Sequence, residues 1–107
     1  MAPTPQRGEL WLAEIPGDKR RPVLILTRAS FIARLTNVTV APVTTTIRRI
    51  PTELVVDERH GIDHDSAVNF DNLLTLRLTY LVRRLGALST DELHEACDAI
   101  ALALGCD

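Results

Sequence analysis

Residues 22–27, with the sequence Pro-Val-Leu-Ile-Leu-Thr, form the stretch that decides the fold class. A continuous apolar run of this length, rich in β-branched residues, is typical of a strand buried on both faces of a sheet. A second strongly β stretch follows at 37–46, with the sequence Asn-Val-Thr-Val-Ala-Pro-Val-Thr-Thr-Thr. Pro42 within it has no backbone N–H, so we expect a bulge or an edge position there.

Shorter segments surround these two strands. Further β-strands are predicted at 9–15, 52–56 and 82–88, with one or two more between 66 and 76. Residues 29–35 are expected to form a short helical turn crossing over the core. Residues 57–65 contain Gly61 and many charges without apolar periodicity, which favours a loop.

One helix is predicted, from Ser89 to Leu104. Ser89 and Glu92 have the spacing of a capping box, and Gly105 is a natural stop after the last turn. The apolar residues expected to face the core at helical spacing are Leu93, Ala96, Cys97, Ile100, Ala101 and Leu104. This helix is interpreted as core packing without chemistry, and His94 beside it as a surface residue.

Short strands followed by one terminal helix predict a mainly β (α+β) domain, a small bent sheet closed into a barrel. The 107 residues suffice for a single domain, with residues 1–6 as a flexible tail. No apolar run approaches the roughly 20 residues that span a bilayer, and the polar N-terminus does not resemble a signal peptide. We therefore expect a cytoplasmic protein in which Cys97 and Cys106 are free thiols.

Charge is distributed unevenly, although the formal net charge is only −2. No acid occurs between Lys19 and Thr52, a stretch that holds Lys19, Arg20, Arg21, Arg28, Arg34, Arg48 and Arg49. From Asp91 onward there are acids but neither Lys nor Arg. Arginine is well suited to bidentate phosphate contacts. Charge alone leaves open a positive binding surface or merely a solvated arginine-rich face.

The sequence lacks the usual signatures of phosphate-binding loops, nucleophile elbows and zinc sites. His60 and His64 lie four apart among acidic residues and suggest a metal site. A solvated charged loop is the preferred interpretation, because the segment has no helical periodicity. No metal and no cofactor are expected.

Polar groups end the two main strands and are candidates for a site. Arg20 and Arg21 lead into the buried run at 22–27, and Thr44-Thr45-Thr46 ends the second run after Val43. Charged groups at the rim of a rigid strand are well placed for binding or catalysis. The plain alternative is that threonine favours strands and that the arginines only terminate one.

Five segments, in this order and spacing, resemble the MazF/PemK/Kid toxin family over nearly the whole chain. They are Arg-Gly-Glu-Leu-Trp at 7–11, Arg-Arg-Pro-Val-Leu-Ile-Leu-Thr at 20–27, Val-Ala-Pro-Val-Thr-Thr-Thr at 40–46, Asp-Ser-Ala-Val-Asn-Phe-Asp-Asn at 65–72 and Arg-Leu-Gly-Ala-Leu-Ser at 84–89. The resemblance implies an SH3-like barrel that forms a homodimer. It also implies a metal-independent endoribonuclease, which cuts single-stranded RNA to 2′,3′-cyclic phosphate and 5′-hydroxyl ends. The substrate class would be mRNA, with rRNA and tRNA as alternatives, and the partner a MazE-like antitoxin.

The family's catalytic arginine falls on Arg21 and its catalytic threonine on Thr44. RNA contacts fall on Arg20, Thr45, Arg48, Arg49 and Asn72. Asn72 departs from the glutamine usual in the family, and the loop 16–20 is shorter than in many members. Cleavage sequence and partner contacts therefore do not transfer.

In this interpretation Arg21 stabilises the phosphorane and Thr44 hydrogen-bonds a phosphate oxygen or the leaving group. Arginine is awkward as a general base because it stays protonated in proteins. Two other interpretations fit the same residues: a CcdB-like poison of DNA gyrase that acts by protein binding, and a catalytically inactive RNA-binding member. The Arg21 and Thr44 pair favours the nuclease.

Overall fold

The computed structural model describes residues 4–28 and 36–106. Within these ranges the chain forms antiparallel strands followed by one helix. The strands are β1 (Glu9–Glu14), β2 (Arg20–Ile25), β3 (Asn37–Thr44), β4 (Glu53–Val56), β5 (Ser66–Asn69), β6 (Leu74–Arg77) and β7 (Leu81–Ala87), and the helix is α1 (Thr90–Leu104). Single 3-10 turns lie at Glu58–His60 and Leu78–Tyr80. The strands expected from the sequence are confirmed, whereas the turn expected at 29–35 lies outside the described residues.

The strands form one bent sheet in the order β4-β5-β3-β2-β1-β7, with β6 as a further partner of β3. The mainly β half-barrel with a terminal helix confirms the predicted fold class. The bend is made by β3, which pairs with β6 up to Val40 and with β5 from Val43 onward.

Pro42 lies between these two pairings of β3. On its other side the strand continues its ladder with β2, where Pro42 is the partner of Val23. Pro42 therefore occupies an interior strand at a local gap between two neighbours, where a missing N–H leaves no ladder bond unmade. This gap takes the place of the edge position expected from the sequence.

Both faces of β2 are buried, as its continuous apolar run predicts. Leu24 belongs to a cluster that packs under the helix, and Val23 and Ile25 belong to a second cluster on the opposite face with Trp11 and Val38. Alternation of side chains along a strand explains this division. The rigid centre of the sheet is thus formed by β2 and β3, the two strands that carry the candidate site residues.

Helix α1 begins and ends as predicted. The Ser89 hydroxyl accepts from the Glu92 N–H at 3.2 Å, the Glu92 carboxylate accepts from the Ser89 N–H at 2.9 Å, and Gly105 adopts φ 71° after the last turn. No helix in the described ranges is long and apolar enough to cross a membrane.

The buried face of α1 differs from the predicted one. Ala96 and Ala99 are buried, and Ile100 and Ala103 pack against the same cluster, whereas Leu104 is 61% exposed. The prediction was therefore wrong for Leu104 and missed Ala99. Apolar residues surround much of this helix, so periodicity alone does not fix which face meets the sheet. Small alanines allow the close approach.

The charged segment 57–65 is not simply a solvated loop, which corrects the interpretation of His60. The His60 side chain is 4% exposed; its Nε2 lies 2.7 Å from a Glu92 carboxylate oxygen, and its Nδ1 accepts from the Asp57 N–H at 3.1 Å. His64 and His94 are exposed. Over the part of the chain that the structure describes, no three His, Cys, Asp or Glu side chains are grouped to hold a metal ion.

Candidate nucleic-acid groove

Arg21 and Thr44 are brought together by the register of β2 and β3. The two strands pair Ile25 with Val40 and Val23 with Pro42, and two further positions along this antiparallel register place Arg21 across from Thr44. Both side chains line one cavity of about 560 Å³, here called the Arg21 groove. Its walls are formed by Asp18, Arg21, Pro42, Thr44, Thr46, Arg48, Asn69, Asn72 and Leu74.

Arg21 presents unused donors to this groove. Its Nη2 lies 3.4 Å from Asp18, in an ion pair between side chains that are 39% and 43% exposed. Its Nε is buried and has no hydrogen-bond partner among the described residues. A buried donor without a partner makes the folded state less stable. A hydrogen bond from this Nε to a ligand oxygen would therefore be favourable.

Thr44 is oriented by its own chain. Its hydroxyl oxygen accepts from the Thr46 backbone N–H at 3.2 Å, which uses one lone pair and leaves the hydroxyl proton free to donate. The side chain is only partly buried. Arg21 and Thr44 together offer hydrogen-bond donors to an anionic group in the groove.

Arg48 also lines the groove and is held in place by Glu53. The Glu53 carboxylate, only 1% exposed, accepts from Arg48 Nε at 3.0 Å and from the Arg48 backbone N–H at 2.9 Å. Two bonds to one buried carboxylate fix both the backbone and the guanidinium of Arg48. The groove therefore has a second arginine in a defined position.

The segment after β5 completes the groove. Asn69 is buried, and its side-chain oxygen accepts from the Asp71 N–H at 2.8 Å. Asp71 in turn accepts from the Thr52 hydroxyl at 2.6 Å, which ties this turn to the segment that carries Arg48. Asn72 is exposed and lines the groove, so the amide expected from the sequence is present there.

Three of the predicted RNA-binding residues lie outside this groove. Arg20 faces another cavity and pairs with Glu14 at 3.0 Å, because neighbours along a strand point to opposite faces. Thr45 lines a separate small pocket. Arg49 is exposed with φ 54°, unusual for a residue other than glycine.

Sequence reasoning missed Asp18 and Asn69 as groove residues, and it included Thr46 only as part of the Thr44-Thr45-Thr46 run. Asp18 lies in the turn before the arginine pair, and nothing in the local sequence distinguishes it from other exposed acids. Asn69 had a usable signal, since a polar residue in an apolar strand segment needs a specific partner when buried.

Glu92 holds the charged segment to α1 and has a shifted pKa. Burial alone raises the pKa of this carboxyl, but hydrogen bonds from the Ser89 backbone, the His60 ring and the Ser89 hydroxyl outweigh it, so the pKa lies below its usual range. Because His60 Nδ1 accepts the Asp57 N–H, Nε2 is the ring nitrogen that donates to Glu92. The contact thus joins the end of β4 to the start of the helix.

The fold and the groove define a class: a small β half-barrel whose groove carries two arginines, two threonines and two asparagines in positions suited to a phosphate-bearing polymer. Residues 6–104 match the family described as PemK-like, MazF-like toxin of type II toxin-antitoxin system. The chain belongs to this family and is a MazF-type endoribonuclease of a toxin-antitoxin system.

Curated relatives cover almost all of the chain. It is 39% identical to the Mycobacterium tuberculosis protein named probable endoribonuclease MazF5, over 99% of this chain and 98% of the relative. It is 43% identical to probable endoribonuclease MazF2 of the same species, over 94% of this chain and 99% of the relative. These matches support the nuclease over the gyrase-poison alternative.

Solved structures agree with this assignment. The M. tuberculosis toxin MazF-mt6 has a TM-score of 0.86 at 41% identity, covering 92% of this chain and 98% of that one. A mycobacterial endoribonuclease in complex with its cognate antitoxin has a TM-score of 0.85 at 27% identity, covering 96% and 97%.

Proposed function

We propose that the Arg21 groove cleaves single-stranded RNA by transphosphorylation without a metal. The 2′-oxygen of the ribose attacks the adjacent phosphorus, and the bond from phosphorus to the 5′-oxygen breaks. In net terms the proton that leaves the 2′-oxygen is balanced by the proton that the 5′-oxygen takes up. The products are a 2′,3′-cyclic phosphate and a 5′-hydroxyl. The observation that carries the proposal is that Arg21 and Thr44 face the same groove from neighbouring strands of the sheet.

In this mechanism Arg21 stabilises the charge that develops on the phosphorane. Its unpartnered Nε and its Nη atoms are donors already held in a partly water-excluded place, where such contacts stabilise a transition state most. Thr44 donates a hydrogen bond from its hydroxyl to a phosphate oxygen or to the leaving oxygen. An incoming phosphate replaces Asp18 as the partner of Arg21, since the existing ion pair is long and half-exposed.

RNA binding extends beyond the reacting group. Arg48 and Asn72 contact the RNA within the groove, while Arg20, Thr45 and Arg49 contact it beyond the rim. Exposed bases of single-stranded RNA are recognised by their edges and flat faces, while the arginines supply phosphate contacts. The physiological substrate proposed is mRNA, with rRNA and tRNA as further classes.

The decisive experiment incubates purified protein with a long single-stranded RNA in EDTA and maps the new 5′ ends. Cuts with 5′-hydroxyl and cyclic phosphate ends support the proposal. Intact RNA together with inhibition of DNA gyrase would support a poison that acts by protein binding, and RNA binding without cuts would indicate an inactive member.

Two partners and a location complete the proposal. A MazE-like antitoxin binds through an acidic segment that folds into the basic groove and competes with RNA. The chain acts as a homodimer in the cytoplasm; Leu102 and Leu104 of α1 are exposed apolar side chains available for a second copy. Isothermal titration with an acidic peptide, with and without RNA, tests the competition; simultaneous binding of both without loss of affinity contradicts it.

A further inference from the structure

The loop between β4 and β5 is fixed to the body of the protein at its centre. Asp57 caps the 3-10 turn by accepting from the Arg59 N–H at 2.9 Å, and His60 joins the loop to Glu92 at the start of α1. His60 is almost fully buried, so this anchor is shielded from water. The loop between β4 and β5 is therefore rigid at its centre, although its sequence is highly charged.

Two glycines bring this loop into close contact with β7. A Cβ added to Gly61 would collide with the Leu85 carbonyl, and one added to Gly86 would collide with the His60 carbonyl. Gly61 also has φ 79°, a conformation that favours glycine. The next residue, Ile62, is then inserted into the core under the helix. The backbone just after Ile62 therefore leaves the core from a fixed point.

Beyond that point the loop forms one wall of a second cavity, of about 180 Å³, here called the Ile62 pocket. It is lined by Pro22, Val43, Thr44, Thr45, Ile62, Asp63, His64 and Ser66. The Ser66 hydroxyl donates to the His64 carbonyl at 2.9 Å, which fixes the backbone of His64 at the pocket. Thr44 lines this pocket and the Arg21 groove alike, and Pro22 directly follows Arg21.

We infer that the Ile62 pocket receives a single RNA base next to the cleaved phosphate, and that Thr45, Asp63 and His64 select which base enters. This inference rests on the proposed RNA cleavage. Thr44 forms the boundary between the two cavities, so a base in the pocket belongs to a nucleotide whose phosphate lies at Arg21. The pocket thus gives Thr45 a defined role outside the groove.

Size and chemistry favour a base over other occupants. Pockets for whole drug-sized ligands measure about 300–1,000 Å³, so this cavity fits a fragment such as one base. Pro22, Val43 and Ile62 offer apolar surface to a flat ring, and the exposed Thr45, Asp63 and His64 offer donors and acceptors to its edge. Among the residues that the structure describes, no arginine or lysine lines the pocket, and the Asp63 carboxylate repels an anion, which disfavours a phosphate.

The test compares wild-type protein with His64→Ala and Asp63→Asn on a randomised single-stranded RNA library. Sequencing the new 5′ ends gives the base preference at each position around the cut. We expect the preference at one position beside the cut to weaken by about 10-fold, since contacts to one base are of that order. Asp65→Asn is the matched control, an exposed acid of the same loop that lines neither cavity.

A parallel binding measurement makes the outcome independent of cleavage. Short RNAs that differ at one base are titrated against the same proteins, and the variants should lose discrimination at one position while Asp65→Asn keeps it. Wild-type discrimination retained by both variants would overturn the inference, whether or not RNA is cut. Weakened binding of an acidic antitoxin peptide with unchanged base discrimination would also overturn it, because the pocket would then serve a protein partner. A wild type that binds but does not cut contradicts the proposed function alone.

Discussion

Replacing Arg21 by alanine should separate catalysis from stability. The change removes the charge and every donor that Arg21 offers, including the buried Nε. Loss of one such donor typically slows a reaction about 100- to 1,000-fold, which corresponds to roughly 2.7–4 kcal/mol of transition-state stabilisation. The ion pair lost with Asp18 is long and joins half-exposed side chains, so it contributes at most about 1 kcal/mol to folding.

The assay is single-turnover cleavage of one defined RNA in EDTA, with thermal unfolding measured on the same samples. Arg83→Ala is the control for loss of positive charge, because Arg83 is exposed on β7 and does not line the Arg21 groove. Arg21→Lys keeps the charge but loses the planar fork, and we expect only partial activity from it. An Arg21→Ala protein that cleaves within about threefold of wild type would refute the assignment of Arg21.

Three further perturbations follow from the contacts around the groove and the helix. Asp18→Asn should strengthen RNA binding severalfold by freeing Arg21, measured by fluorescence anisotropy; weaker binding would contradict the competition between Asp18 and phosphate. Arg48→Ala should weaken RNA binding and reduce the slope of the log of the RNA-binding constant against log salt concentration by about one. An unchanged slope would mean that Arg48 does not contact an RNA phosphate. Glu92→Gln keeps the capping box but loses the charge beside His60; because the folded pKa of Glu92 is lowered, its stabilisation is present above the unfolded pKa of about 4.3 and lost as pH falls through the folded value. Wild type and Glu92→Gln should therefore differ in their free energy of unfolding in urea at neutral pH, and the difference should disappear in acid. A difference that does not change with pH would contradict the lowered pKa of Glu92.

The strands and the helix were predictable because their signals are local. The run at 22–27 and the capping box at Ser89 each depend on residues adjacent in sequence. The face of α1 was not predictable at its C-terminal end, since residues 99–104 are apolar all round and only packing against the sheet selects Ala99 over Leu104.

The candidate site was predictable only in part, for a different physical reason. Arg21 and Thr44 carry a family pattern and meet through a regular strand register. Asp18 and Asn69 join the groove through turns whose geometry the sequence does not specify. The burial of His60 could not be predicted from its charged neighbours, because its partner Glu92 is 32 residues away along the chain.

The opposition of Arg21 and Thr44 makes the candidate site unusually sensitive to insertions. One residue added between Arg21 and Val23 would turn Arg21 to the other face of the sheet, away from Thr44, even if every apolar contact of β2 were kept. Two added residues would restore the face but shift Arg21 by about 7 Å, since a strand rises about 3.3 Å per residue. We expect homologues to vary in length at the turns and to keep the spacing between this arginine and the core of β2. The length of the strand therefore fixes the position of Arg21 relative to Thr44.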